Sequence, residues 1–297
     1  MPKPKPLKPG DRIGVISPAG PVDPERLERG CNVLRSMGYE VELGSAALDR
    51  DRYFAGTPER RACNLNSFLR RDDIQCILSS RGGYGANYIL DRVQYGLMRQ
   101  NPKWFGGYSD ITVLLSQFHD RADVPVLHAP LVAGDFDRDN GVDLDSWNAV
   151  VSGNLHTYEV PTTIREGQAE GKLYGGCLSL MVSMLSTSYE PCTEDTILFL
   201  EDLNEPPYKI DRMLRQLELA GKLRNVNGIV FGTMCNCGDR IAEHIAHMLQ
   251  WFDKPIAFGL PSGHAVLPHQ TLAFGLRVRL TAKTSGASLT MLESATD

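Results

Sequence analysis

The feature that most constrains this chain is the rhythm of its first 130 residues, where short apolar runs alternate with segments of helical period. Residues 12–17 read as a strand closed by Pro18-Ala-Gly-Pro21. Asp23 before Pro24 supplies an N-cap and a proline at the first helical position. Leu27, Cys31, Val33, Leu34 and Met37 then recur at helical spacing, and Gly38 is a C-terminal stop. A strand over 39–43 follows, and Thr57-Pro58 opens a helix that carries Leu65, Phe68 and Leu69 on one face. The spacing predicts strands over 74–78, 104–108 and 124–127, with helices over 88–93 and 111–118 between them. Strands separated by helices cannot close as hairpins, so this order specifies an α/β fold with a doubly wound parallel sheet.

Beyond residue 130 the pattern changes. Gly134-Asp-Phe-Asp-Arg-Asp-Asn-Gly141 is polar and turn-rich, a short helix over 147–151 follows, and residues 156–173 alternate like exposed strands. Helices over 177–185, 210–220 and 240–251 are then interleaved with strands over 196–200 and 228–231. Late strands over 272–281 and 287–292 complete the chain. With 297 residues there is material for two domains. The expected division is 1–135, a linking region 136–170, and a smaller β-rich domain 171–297, with a cleft between domains as the natural place for a site.

Charge narrows the class of function. Lys and Arg total 31 against 36 Asp and Glu, a net charge of -5, which lacks the broad positive field of a nucleic-acid or anionic-membrane partner. No stretch approaches the roughly 20 apolar residues of a membrane span. The N-terminal segment Met1-Pro-Lys-Pro-Lys-Pro-Leu-Lys-Pro9 is basic but is not followed by an apolar core or cleavage site. The seven cysteines form no framework of spacings, as expected of reduced thiols. Together these point to the cytoplasm.

Four segments carry candidate chemistry. In Phe105-Gly-Gly-Tyr-Ser-Asp-Ile-Thr112, Ser109 falls where a strand turns into a helix, the mechanical requirement of a nucleophile elbow, with the Asp110 amide facing the same space. The other reading of Ser109 is a helix N-cap, with Asp110 favouring the dipole. In Ser79-Ser-Arg-Gly-Gly-Tyr-Gly85, Gly82 and Gly83 allow backbone amides to approach an oxyanion, and Arg81 suits a carboxylate; the bland reading is a glycine turn. In the third segment, strand 196–200 runs into Glu201 and Asp202, with Glu205 one turn on. A carboxylate at a buried strand end is placed to orient a histidine, or else Asp202 or Glu205 caps the helix after Pro206-Pro207. In Gly259-Leu-Pro-Ser-Gly-His-Ala-Val-Leu-Pro-His269, either His264 or His269 is a candidate base. Cys235, Cys237, His244 and His247 have poor spacing for zinc, so no metal is expected.

In their order, these segments resemble the serine LD-carboxypeptidases, a family of murein-recycling peptidases whose relatives confer immunity to a peptidyl-nucleotide antibiotic. The resemblance rests on Gly14-Val-Ile-Ser-Pro-Ala-Gly20, Tyr53-Phe-Ala-Gly-Thr57 with Arg60-Arg-Ala62, and Arg81-Gly-Gly-Tyr-Gly85. It continues through Gly107-Tyr-Ser-Asp-Ile-Thr112, His128-Ala-Pro130, Leu200-Glu-Asp202, Glu205-Pro-Pro-Tyr208, Asp211-Arg-Met-Leu214 and Gly263-His264. Departures are Cys177 where the family commonly has asparagine, Ala19 in the first turn, and Ala273 in place of a proline. The resemblance implies an amidotransferase-like N-terminal domain, a smaller C-terminal domain and a homodimer. It implies a triad of Ser109, Glu201 and His264; His269, five residues on, is an extra candidate base and ranks second. It further implies an oxyanion hole from the Asp110 and Gly83 amides, and substrate contacts from Arg81, Gly82 and Tyr84. The expected reaction releases terminal D-Ala from murein tetrapeptides, with a small peptide substrate and no cofactor.

Overall fold

The computed structural model describes residues 1–297 and resolves into two compact units. The first unit comprises Met1–Asn154, Leu267–Ala273 and Ala295–Asp297; the second comprises Leu155–Val266 and Phe274–Ser294. In chain order the first stretch holds β1 (Arg12–Ile16), α1 (Pro24–Ser36), β2 (Glu40–Leu43), α2 (Pro58–Leu69) and β3 (Cys76–Ser79). It continues with α3 (Tyr95–Gln100), β4 (Trp104–Gly107), α4 (Thr112–Ala122), β5 (Val126–His128) and α5 (Leu144–Val151). Then come β6 (Thr157–Val160), β7 (Thr162–Arg165), β8 (Gly167–Cys177), α6 (Leu178–Ser183), β9 (Thr196–Leu203) and α7 (Pro207–Leu219). The chain ends with β10 (Val226–Cys235), α8 (Ile241–Met248), β11 (Ile256–Phe258), β12 (Leu272–Phe274), β13 (Arg277–Lys283) and β14 (Gly286–Met291). No helix is long and apolar enough to cross a membrane.

The first unit is built on a six-stranded sheet in the order β12-β5-β4-β3-β1-β2, and the pairs from β5 to β2 are parallel. Strands buried on both faces need continuous apolar runs, and Ile13, Val15, Ile77, Leu78 and Phe105 are fully buried. The N-cap expected at Asp23 forms, accepting from the Glu25 and Arg26 amides, and the helix expected after Thr57 is capped by that residue, which accepts from the Arg60 amide. Val33 and Met37 do not share the buried face of α1, which is Leu27, Gly30, Cys31 and Leu34. The helix expected over 88–93 is a single 3-10 turn, Ala86–Ile89, and α3 starts only at Tyr95.

The second unit has an eight-stranded mixed sheet in the order β6-β14-β13-β8-β9-β10-β11-β7. Its centre, β8 to β11, is parallel, and the flanking pairs are antiparallel. Leu198, Leu200, Ile229 and Phe231 from the parallel strands form one apolar cluster with Met181, Leu214 and Ile245 from α6, α7 and α8. The region 136–170 is not a linker. The chain passes from one unit to the other at Asn154/Leu155, α5 belongs to the first unit, and β6 and β7 belong to the second. Nor does the second unit keep everything beyond residue 171, because Leu267–Ala273 returns to the first. The single late strand expected over 272–281 is broken at Gly275 into β12 and β13.

Candidate active site

In the first unit the chain goes from β1 outward to β2 and then returns to β3 on the other side of β1. That reversal makes the carboxyl ends of β1 and β3 a switch point, where open α/β sheets bind ligands. The turn after β1 meets the turn after β3 there: the Gly20 amide donates to Gly82 O at 3.1 Å. The end of β4, the next strand, delivers Ser109 to the same edge. Ser109 has φ +63, a conformation that L residues other than Asn and Asp rarely adopt. Strain of this kind persists where surrounding structure imposes it. Neither the 3-10 turn Ser109–Ile111 nor α4 has a side-chain cap bond, and their N-cap positions are Tyr108 and Ile111. The cap reading of Ser109 therefore gives way to the elbow.

Gly82 is the residue against which Ser109 packs. A Cβ on Gly82 would lie 2.8 Å from Ser109 Cβ and 3.0 Å from its Oγ, so only glycine fits without displacement. Asp110 is 2% exposed, and its Oδ2 accepts the Ala86 amide at 2.7 Å. Burial pushes its carboxyl up to about 6, opposed by the Ala86 and Gly85 amides and by the charge of Arg61. Arg81 and Tyr84 are exposed on this loop, with Arg81 Nη1 donating to Pro21 O at 3.2 Å. Tyr84 forms an aromatic shelf with Tyr53, Phe54 and Tyr88, ring centroids 4.4–6.1 Å apart.

In the second unit, β9 alternates its side chains and so separates its two acids. Glu201 is fully buried, and its Oε2 lies 2.7 Å from His264 Nδ1 and accepts the His264 amide at 3.1 Å. A carboxylate accepts, so Nδ1 carries a proton, and in the neutral ring Nε2 is then the acceptor nitrogen. Gly263 has φ +112, and a Cβ there would sit 2.6 Å from Glu201 Oε2; glycine is what lets the histidine loop close on the acid. Thr233 on β10 anchors the loop from below, its Oγ1 donating to His264 O at 2.9 Å. Asp202 points the other way, accepting the Ser179 amide at 2.8 Å and so capping α6. Neither Asp202 nor Glu205 caps α7, whose N-cap is Pro206 with no side-chain bond. A cavity of about 400 Å³ opens beside His264, lined by Met234, Cys235, Ile241 and Phe258 among others.

The structure thus brings Ser109, Asp110 and Gly82 together in the first unit, and Glu201 with His264 in the second. His269 falls in the first unit, fully buried, with its ring 4.8 Å from Tyr108 and 5.6 Å from His128. Cys235, Cys237 and His244 do not converge as a metal-ligand set. Sequence reasoning missed Arg61, Thr233 and the lining of the cavity. Arg61 had only its place in Arg60-Arg-Ala62 to mark it, and nothing in that pair says which arginine is buried.

Comparison with known proteins identifies the family. Residues 13–129 match the LD-carboxypeptidase N-terminal domain, and residues 170–280 match its C-terminal domain. A probable murein peptide carboxypeptidase of Bacillus subtilis is 38% identical over 79% of this chain and 76% of its own. The murein tetrapeptide carboxypeptidase of Pseudomonas aeruginosa is 31% identical over 85% of this chain and 88% of its own. Among solved structures, an MccF-like protein from Bacillus anthracis superposes with a TM-score of 0.90 at 28% identity, covering 98% of this chain and 99% of its own. With both of the family's domains matched in order along the sequence, the chain belongs to the LD-carboxypeptidase family and is a serine carboxypeptidase.

Proposed function

We propose that this enzyme hydrolyses the amide between an L-configured centre, diaminopimelate or lysine, and the terminal D-Ala of a murein tetrapeptide. The observation that carries the reading is the fully buried Glu201 carboxylate held 2.7 Å from His264 Nδ1. A module that only binds murein fragments has no use for a histidine poised as a base. Ser109 is the nucleophile in this reading, supplied by the first unit, while Glu201 and His264 come from the second. His264 Nε2 takes the Ser109 hydroxyl proton as Oγ attacks the carbonyl carbon, and Glu201 holds the tautomer and stabilises the imidazolium. The Asp110 and Gly83 amides bind the oxyanion, each such donor being worth about 10²–10³ in rate. The C–N bond then breaks, and His264 returns the proton to the departing D-Ala amine. Water attacks the acyl-enzyme by the same route and restores Ser109. Arg81 holds the terminal carboxylate, with Gly82 and Tyr84 beside it. The same reading makes the enzyme a cytoplasmic homodimer that takes a small peptide as substrate.

The test is a murein tetrapeptide incubated with wild type and with Ser109→Ala, followed by mass spectrometry. Loss of one alanine with wild type alone is the expected result. Loss with both would remove Ser109 from the mechanism. Loss with neither, together with cleavage of an aminoacyl sulfamoyl adenosine, would move the substrate to the nucleotide class.

A further inference from the structure

The Asp110 side chain performs no step in the mechanism above, yet it is buried against the loop that carries the second oxyanion donor. Its Oδ2 accepts from the Ala86 amide at 2.7 Å, which ties the side chain to the end of that loop. The carbonyl of Gly85 faces the opposite way and accepts from Arg61 Nη1 at 2.7 Å. Arg61 is 1% exposed and binds two further turns, with Nη1 to Pro18 O at 2.7 Å and Nε to Gly56 O at 3.1 Å. Its guanidinium also lies 5.1 Å from the centroid of Phe54. At the other end of the loop, Gly82 O is held by the Gly20 amide at 3.1 Å. The stretch Gly82–Gly85 is therefore clamped at both ends, with Gly83 in between.

We propose that Asp110, with Arg61 as its buried counter-charge, is the positioning residue that sets the separation of the two oxyanion donors. The backbone of Asp110 supplies one donor, and its side chain fixes the loop that supplies the other, so a single residue ties both to the Ser109 elbow. This rests on the reading of Ser109 as nucleophile and Gly83 as donor. Displacing a donor by about 1 Å is enough to cost on the order of 10² in rate. Arg61 gives the arrangement its rigidity, because its planar fork spans carbonyls that a lysine cannot reach together.

The experiment uses a fluorophosphonate, which does not depend on knowing the natural substrate. Ser109 Oγ bonds to phosphorus, fluoride leaves and His264 accepts the serine proton, while the phosphonyl oxygen occupies the oxyanion site. Intact mass and peptide mapping then give the rate and the residue labelled. Asp110→Asn keeps the size of the side chain but loses the charge and one acceptor. We expect it to label at least 10-fold more slowly than wild type. On the cleaved peptide its kcat should fall by a similar factor, with KM within about threefold. A merely structural role would lower the folded fraction while leaving the rate per folded molecule unchanged, and that result overturns the proposal, as does labelling at the wild-type rate. If Asp110→Asn does not fold, Arg61→Lys carries the same expectation and the same refutation. Wild type that labels on another residue, or not at all, brings down the nucleophile reading and this proposal with it. Wild type that labels on Ser109 with normal kinetics in both variants brings down this proposal alone.

Discussion

At the scale of single residues, the site is made by what is absent as much as by what is present. Gly82 leaves the space that Ser109 fills, since a Cβ there would stand 2.8 Å from the serine Cβ. Gly82→Ala should fold but displace the elbow, lowering kcat/KM by about 10² or more; equal activity in both proteins would show that the turn yields. A second residue-scale prediction concerns Asp135, 3% exposed, whose carboxyl burial pushes up to about 6 despite the Leu131 amide and the nearby charge of Arg138. Its ordinary value is 3.8, so between about pH 4 and 6 the folded protein binds the extra proton and the unfolded chain does not. Stability from this group is present below that window and is lost as pH rises through it. The unfolding free energy of wild type minus that of Asp135→Asn should therefore fall by about 2 kcal/mol between pH 4 and pH 7. A constant difference would show that the carboxyl titrates normally.

Elements decide which way each of two adjacent acids faces. On β9, Glu201 faces His264 while Asp202 faces the first turn of α6, and the two-residue alternation of a strand separates their duties. Glu201→Gln should retain the fold and lose about 10³–10⁴ in kcat, because the amide no longer selects the right imidazole tautomer. Asp202→Ala should lose about 1–2 kcal/mol of stability from the uncapped helix, while kcat per folded molecule stays within about threefold. Measuring both by denaturant titration and peptide turnover separates the duties; a catalytic loss in Asp202→Ala equal to that in Glu201→Gln would refute the division. Here the limits of the sequence are plain. The cap at Asp23, the helix start at Thr57 and the strand-to-helix elbow at Ser109 depend on nearby residues and were legible. The two acids of Glu201-Asp202 were legible as a pair, but their opposite duties depend on α6 and on a loop 63 residues away. The strand β11 is three residues long and gave no periodicity to read, and the helix expected over 88–93 lost to the glycine-rich turn before it.

For the whole molecule, the order of the chain and the order of its units do not coincide. The first unit is completed by Leu267–Ala273, which brings fully buried His269 and Leu272 and the edge strand β12. The His269 backbone is tied in at both groups, its amide donating to Gly141 O and its carbonyl accepting from the Asp143 amide, each at 3.0 Å. Its ring stacks on that of His128 and packs at a tilt against that of Tyr108, the residue before Ser109. A chain cut after Asn154 therefore keeps five of the six strands of its sheet but exposes the flank of β5, the Gly141 and Asp143 backbone groups and the Tyr108 ring. An open strand edge and unpaired backbone groups favour association with other chains. Residues 1–154 alone should form a parallel sheet with a Tm well below that of the full chain, bind a hydrophobic dye and aggregate at micromolar concentration. Fusing residues 267–274 to that fragment through a flexible linker should raise the Tm and suppress dye binding. A fragment 1–154 as stable and monodisperse as the full chain would mean that the returning segment is dispensable to the first unit. The expected result would mean instead that the Ser109 elbow is not stable until residues synthesised well over a hundred positions later have folded back beneath it.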